Sequence, residues 1–401
     1  MSNAAAWAQT VKAFVKRQLG LADLADFERL KASADELKSD VSRLQSAAAI
    51  FPLPKWWESN FWEPTVQLPI RDFCKPGDVA FDVGANAGGL TLLMSRLVGP
   101  RGLVCAFEAS PRIIDKTQWN LVQAGCFNTQ LYFRAVYHTS RQWLRLYEGT
   151  HLNDSVYNRP LGDAGASYEV ETLALDDFVA ETGLTPSFIK MDIEGAEFDA
   201  LTGMARLIAE ERPVYVLEQS AEDPRCYDLL TTAGYRAVDL SSYRSLPNKA
   251  DFAATGGIAN ILFVHPESHP ASPYLREDKP ILVATLSATD FERDATGSVR
   301  LVRPLSLSPG RYMFKILCAA SGTDNEVFAG LETDQEMIFR YHAYSHLLAS
   351  FYRNWVIHLA RPTDVRLFFR FIRGTDSTLR WDGAEVYRLP AFDGMRYSAA
   401  C

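Results

Sequence analysis

The sequence predicts an α/β protein: a doubly wound, mostly parallel sheet, preceded by helices and followed by an antiparallel β-sandwich. Three observations predict it. The N-terminal stretch is Ala-rich and almost free of Gly and Pro; the middle alternates short apolar runs with helical patterning; beyond His269 helical patterning nearly vanishes. At 401 residues the chain is too long for one ordinary domain.

Composition narrows the function. Hydrophobic residues are 47% and charged residues 22%, which describes a folded globular protein and not a disordered one. A net charge of −8 argues against a nucleic-acid binder working by broad phosphate neutralisation. Six cysteines are scattered without CxxC spacing, several inside apolar runs, as buried free thiols are. No apolar run reaches membrane-spanning length, and the N-terminus lacks signal-peptide features. The expected location is cytoplasmic.

Residues 1–50 are expected to be a helical segment. Phe27, Leu30, Ala34, Leu37, Val41, Leu44 and Ala48 recur at alternating spacings of three and four, a heptad seam. It reads either as a short coiled coil making a homo-oligomer or as an amphipathic helix lying on the protein's own core. An earlier helix, with Trp7, Val11, Phe14, Val15 and Leu19 on one face, fits a membrane surface or a neighbouring helix.

A cofactor-binding α/β domain is expected over 51–267. "DVAFDVG" and "GLVCAFE" read as strands, each followed by a helix. "TQLYFRAVY" follows, then a polar, loop-rich passage to about residue 167. "SFIKMD" and "RPVYVLE" are two further buried strands, and "YRAVDL" and "IANILFVH" close the series. Alternation of this kind places ligands at the carboxyl ends of the strands. "HPESHPASP" reads as a linker. Beyond it "SVRLVRPLSL", "GRYMFKILCAA", "WVIHLA", "VRLFFRFI" and "AEVYRL" alternate in period two, predicting a β-sandwich over 275–395. Tyr341, Tyr344, Trp355 and Trp381 are candidates for stacking on sugar rings, although each reads more simply as core.

The first strand ends in "FDVGANAGG", with Gly84 and Gly88 bracketing a turn into a helix. Such a turn lets a ligand lie against backbone N–H groups. Asn86 stands where a dinucleotide fingerprint has its second glycine. Glu108 ends the next strand and can accept hydrogen bonds from the two hydroxyls of a ribose. The pair indicates a nucleoside-bearing cofactor.

"VAFDVGANAGGLTLLMS", "FEASPRIIDKTQWNL", "FIKMDIEGAEFDAL" and "NILFVH", in that order, resemble the FkbM-type methyltransferases over roughly residues 75–265. The resemblance implies a Rossmann-like fold, S-adenosylmethionine as cofactor, and a hydroxyl of a sugar, glycan or sugar-containing metabolite as methyl acceptor. It implies that Asp82, Gly84, Asn86 and Gly88 surround the methionine and ribose portions, that Glu108 holds the ribose, and that Val136 approaches the adenine.

It also places the carboxylates of "IKMDIEGAEF" beside the reactive sulfonium. Asp192 and Glu194 are candidate bases, with Lys190 tuning them or anchoring the acceptor oxygen. Glu197 reads better as a brace for the loop and helix start. His151, in "HLNDSVYN", is a secondary candidate base on an expected lid. Glu218, ending "VLE", reaches the same sheet edge, so Asp192 and Glu218 could hold a divalent cation, Mg or Mn, that gathers acceptor hydroxyls. The opposing classes are a nicotinamide oxidoreductase, disfavoured by Asn86, and a scaffold that has lost catalysis, disfavoured by the intact Gly84–Gly88 turn.

Overall fold

The computed structural model describes residues 63–149, 154–156, 167–276, 279–293, 298–320, 326–344, 354–373 and 379–389. The heptad seam, the helix around Trp7 and His151 lie outside them. The chain divides into two units, Met1–Leu53 and Pro54–Cys401, and every described residue belongs to the second. Among the described residues no helix is long and apolar enough to cross a membrane.

Helix α1 (Pro64–Phe73) opens the described chain. Pro64 suits the first helical turn, where its missing N–H is no loss, and Val66, Ile70 and Phe73 form a buried stripe. Strand β1 (Val79–Val83), α2 (Gly89–Val98), β2 (Leu103–Glu108), α3 (Pro111–Gln123) and β3 (Thr129–Phe133) then alternate. Ser110 caps α3, its hydroxyl oxygen accepting the Arg112 N–H at 3.3 Å.

The polar passage after β3 is more ordered than its composition predicts. β4 (Ala135–Val136), β5 (Trp143–Tyr147) and β6 (Ser167–Leu173) form a separate three-stranded sheet in the order β4-β6-β5. The deciding feature is period two: Leu146 and Val170 turn inward onto Ala135 while their charged neighbours face out. So "TQLYFRAVY" divides at Arg134 between two sheets.

Next come α4 (Leu175–Thr182), β7 (Phe188–Met191), α5 (Glu197–Thr202), β8 (Val214–Ser220), α6 (Arg225–Thr232), β9 (Arg236–Asp239), β10 (Arg244–Ser245), α7 (Lys249–Ala253) and β11 (Ile258–Val264). The central sheet has the order β10-β9-β11-β8-β7-β1-β2-β3. β3, β2, β1, β7 and β8 are mutually parallel, the Rossmann-like arrangement expected. β11 departs from it by inserting antiparallel between β8 and β9. β10 and β11 both run antiparallel to β9, so the short connection through α7, five residues long, carries the chain back to the start of β11.

Successive residues of the central strands feed opposite layers. Phe81, Ile189, Met191, Tyr215 and Leu217 pack on one face, and Ala80, Phe188, Val214 and Val216 on the other. The second layer also takes Val66, Ile70 and Phe73 from α1, Tyr274, and Met313 and Leu389 from the C-terminal region.

"HPESHPASP" is therefore a packed connection rather than a free linker. The His269 ring meets Phe73 edge-on at 5.2 Å, and Tyr274, just beyond, stacks on it at 5.6 Å. The remaining strands are β12 (Ile281–Ser287), β13 (Phe291–Arg293), β14 (Val299–Leu301), β15 (Leu305–Leu307), β16 (Gly310–Ala320), β17 (Glu326–Glu332), β18 (Met337–Tyr344), β19 (Asn354–Leu359), β20 (Thr363–Arg373) and β21 (Leu379–Arg388). They make two antiparallel sheets, β12-β21-β16-β19 and β13-β14-β20-β17-β18, with β15 on β20. Both contribute to one apolar cluster around Phe314, Trp355, Val327 and Leu367. Tyr341 and Trp355 are wholly buried in that cluster and offer no face to a sugar. Trp381 packs between Phe291 and Phe369, and the Tyr344 side chain lies outside the described residues.

Candidate active site

The carboxyl ends of β1, β2 and β7 open onto a cleft of about 720 Å³. Gly84, Asn86, Glu108 and Val136, expected as cofactor residues, line it together with Asp192 and Glu194, expected as bases. Gly84 is at φ +77°, and a Cβ there would stand 1.9 Å from the Asp192 carbonyl oxygen. Only glycine fits both the left-handed backbone and that approach. Asn86 is also left-handed, at φ 48°, and its side-chain oxygen accepts the Ala87 N–H at 2.7 Å. Glu108, 7% exposed, accepts the N–H of Asn86 on one oxygen and of Ser110 on the other, each at 2.8 Å. Burial pushes its pKa up against those two donors.

The opposite wall is apolar. Ile113, Leu144, Leu146 and Val156 face Phe107 across the cleft, a surface suited to a flat base. Leu144, Leu146 and Val156 come from the passage read as loop, so sequence reasoning missed them. Asp154 was missed too. It takes hydrogen bonds from Ser110 at 2.6 Å and Gly149 at 2.9 Å and pairs with Arg112, fixing the mouth of the cleft. Against the cost of burial, Arg112 and Ser110 hold its pKa below the usual carboxylate range.

Two expected cofactor residues stand back from the cleft. The Asp82 carboxylate is 1% exposed and turned inward, accepting the Thr91 hydroxyl at 2.5 Å with the Lys190 ammonium at 3.9 Å. Strand alternation is the reason: Val83 and Gly84, not Asp82, reach the rim. Gly88 is the N-cap of α2, where a Cβ would press on Leu121 and Thr117 at 3.3–3.4 Å. It packs the helix start and does not line the cleft.

The "DIEG" turn carries the carboxylates. Glu194 is left-handed at φ 55° and Gly195 follows at φ 102°. Glu197 braces the turn, accepting the N–H of Ile193 at 2.8 Å and of Gly195 at 3.4 Å. Ser155, buried, donates its hydroxyl to the Glu194 carbonyl at 2.8 Å. Ligand oxygens of Asp192, Glu194 and Glu218 all lie within 4.8 Å of one another. Burial, with Asp192 and Glu197 adding to it, raises the Glu194 pKa to about 7. Burial and the charges of Asp192, Glu63 and Glu194 push Glu218 up as well.

Lys190 is turned inward. It is 4% exposed, and its ammonium donates to the Gly84 carbonyl at 3.1 Å and to Asp192 at 3.4 Å. Burial works against its charge, but Asp192, Asp82, Glu63 and Glu218 outweigh it and hold the pKa above the ordinary value. It serves as the internal countercharge of the carboxylate group. Glu63 was not anticipated. It precedes α1 at φ 43°, and one carboxylate oxygen is buried without a hydrogen-bond partner. Its sequence signal was slight, an acid directly before Pro64. A second cleft, of about 910 Å³, begins at Glu194 and runs past Glu197, Glu218 and Gln219 to Arg225 and Ile258. Glu194 is on the wall of both clefts.

Residues 82–237 match the model of the methyltransferase FkbM domain. No curated protein matches the chain at a significant level. Among solved structures, a methyltransferase FkbM from Methylobacillus flagellatus is 16% identical, with TM-score 0.31, covering 49% of this chain and 50% of that one. This chain thus spans about half the length of that protein. Precorrin-6y C5,15-methyltransferase from Geobacter metallireducens is 13% identical, with TM-score 0.30, covering 49% of this chain and 86% of that one. Fibrillarin from Aeropyrum pernix, solved with natively bound S-adenosyl-L-methionine, is 15% identical, with TM-score 0.29, covering 52% of this chain and 75% of that one. Residues 82–237 are thus identified as a methyltransferase FkbM domain.

Proposed function

We propose that the protein transfers a methyl group from S-adenosylmethionine to a hydroxyl of a sugar, glycan or glycosylated metabolite. The observation that carries this reading is the place of Glu194, on the wall shared by the two clefts and with its pKa near neutrality. A general base works best when its pKa lies near the operating pH.

The residues of the first cleft suit the cofactor. Glu108 would accept the ribose hydroxyls in exchange for part of its present bonding, the Gly84 turn leaves room for the methionine portion, and the apolar wall would take the adenine. The cofactor supplies the methyl group already activated as a sulfonium. What remains for the protein is alignment and proton removal. The acceptor oxygen forms its bond to the methyl carbon as the carbon–sulfur bond breaks. The bonding pair stays on sulfur as a neutral thioether, and the hydroxyl proton passes to the Glu194 carboxylate. Asp192 and Lys190 set the charge around that base.

Calorimetry with S-adenosylhomocysteine and with NAD tests the cofactor. Binding of the first and not of the second is expected; the reverse would return the oxidoreductase reading. Methyl transfer to a panel of sugars tests the acceptor class, and transfer to none of them would overturn it.

A further inference from the structure

We infer that Ser155 is the positioning residue for the base: its hydroxyl holds the Glu194 peptide so that the carboxylate stands on the wall shared by the two clefts. The inference rests on the reading of Glu194 as the base of methyl transfer.

Glu194 needs such a hold. Its φ of 55° is left-handed, where a Cβ crowds the backbone, and Gly195 follows at φ 102°. A residue with a side chain keeps that conformation when its surroundings over-determine it. The turn supplies part of this itself, because the Glu197 carboxylate accepts the N–H of Ile193 at 2.8 Å and of Gly195 at 3.4 Å. The second of these is long, so it holds the nitrogen end of the peptide between Glu194 and Gly195 weakly. Ser155 holds the oxygen end at 2.8 Å, from 39 residues away in the sequence. Gly195 has no Cβ to resist rotation of that peptide, which leaves the hold on the oxygen as the firmer one.

Ser155 can do this because it is itself fixed. It is 1% exposed, and its N–H and C=O exchange hydrogen bonds with Tyr147 of β5 at 3.1 and 2.9 Å. The preceding Asp154, its side chain 2% exposed, is pinned to the start of α3 by the Ser110 hydroxyl at 2.6 Å and by Arg112. Ser110 in turn donates its N–H to Glu108 at 2.8 Å. The turn that carries the base is thus referenced to the wall of the cofactor cleft and not only to its own helix. Ser155 directs its hydroxyl at a main-chain carbonyl, so it acts through Glu194 and takes no proton from the acceptor.

The test is a double-mutant cycle on the full-length protein. With the best acceptor of the sugar panel, Ser155→Ala is expected to lower kcat roughly ten- to hundredfold, the scale of a misplacement of about 1 Å. KM for S-adenosylmethionine and affinity for S-adenosylhomocysteine should stay unchanged, which also reports a folded cleft. In the Glu194→Gln background the same substitution should cost less than about twofold, because the group it positions is no longer a base. An equal loss in both backgrounds, or none in either, overturns the proposal. A fall in cofactor affinity that matches the fall in rate overturns it too, leaving Ser155 a structural residue of the cleft. Ser155→Cys, similar in size with a weaker donor, should fall between the parent and Ser155→Ala, and it replaces the alanine variant in the cycle if that variant does not fold. Hydrogen exchange over residues 192–198 needs no acceptor. Ser155→Ala should speed it roughly tenfold while β1 and β2 exchange as in the parent, and unaltered exchange in the turn overturns the hold. A panel that yields no acceptor strikes the acceptor class proposed above and leaves exchange to decide on Ser155.

Discussion

Arg311 of β16 lays two guanidinium nitrogens on the two oxygens of Asp72 in α1, each at 2.6 Å, across 239 residues of sequence. Tyr274 donates its hydroxyl to the same carboxylate at 2.7 Å. Both partners are under 5% exposed. Burial pushes the Asp72 pKa up, and Arg311 and Tyr274 oppose it. Removing one partner of such a pair strands the other, so Arg311→Met should cost about 3–5 kcal/mol in urea unfolding. The double variant Asp72→Leu/Arg311→Met should recover most of that loss. Additive losses would show that the pair is not acting as a unit.

Glu108→Ala should weaken S-adenosylhomocysteine binding by about 1.5–3 kcal/mol, the range for a hydrogen bond to a charged group. Calorimetry reads it directly. Unchanged affinity in a folded variant would remove Glu108 from the cofactor site.

Methyl transfer should rise with pH through about 7 and then level, because Glu194 must be ionised to accept a proton. Glu194→Gln should lower kcat by about 10²–10⁴ and erase that limb of the pH profile, with cofactor affinity unaltered. A profile that keeps its limb in the variant assigns the base elsewhere.

Glu218 gives a stability prediction with a definite sign. Its folded pKa lies above the ordinary 4.5, so the protonated form is the one the fold favours. That contribution is fully present below pH 4.5 and is lost as pH rises through the folded value. Glu218→Gln should therefore match the parent in thermal denaturation near pH 4 and exceed it at alkaline pH, by roughly 2–4 °C for each kcal/mol regained. A variant less stable at high pH would contradict the charge crowding.

Dialysis against a chelator should leave S-adenosylhomocysteine binding and methyl transfer unchanged, because the Lys190 ammonium, 3.4 Å from Asp192, already supplies the countercharge. Loss of activity restored by Mg²⁺ or Mn²⁺ would return Asp192 and Glu218 to the role of cation ligands.

Much of the cofactor cleft was legible because its signals are local. A glycine turn ending an apolar strand, with an acid ending the next, is a backbone requirement written in consecutive residues, and Gly84, Asn86 and Glu108 line the cleft accordingly. Asp82 was misread because sequence does not say which way a strand-end side chain turns, and here Thr91 and Lys190 draw it inward. Leu144 and Leu146 were hidden by short alternating runs among charged residues, where composition suggested loop. Glu63 depends on where α1 docks, and that is fixed by contacts of long sequence separation such as Thr65 with Tyr243 and Asp72 with Arg311. No local pattern encodes such a contact.

The missing side chain of Gly84 has one more consequence. With only hydrogen there, the cofactor turn and the Asp192 turn share a single van der Waals surface. A side chain placed at Gly84 would therefore displace both turns at once, so this position tolerates no change that touches one of them alone.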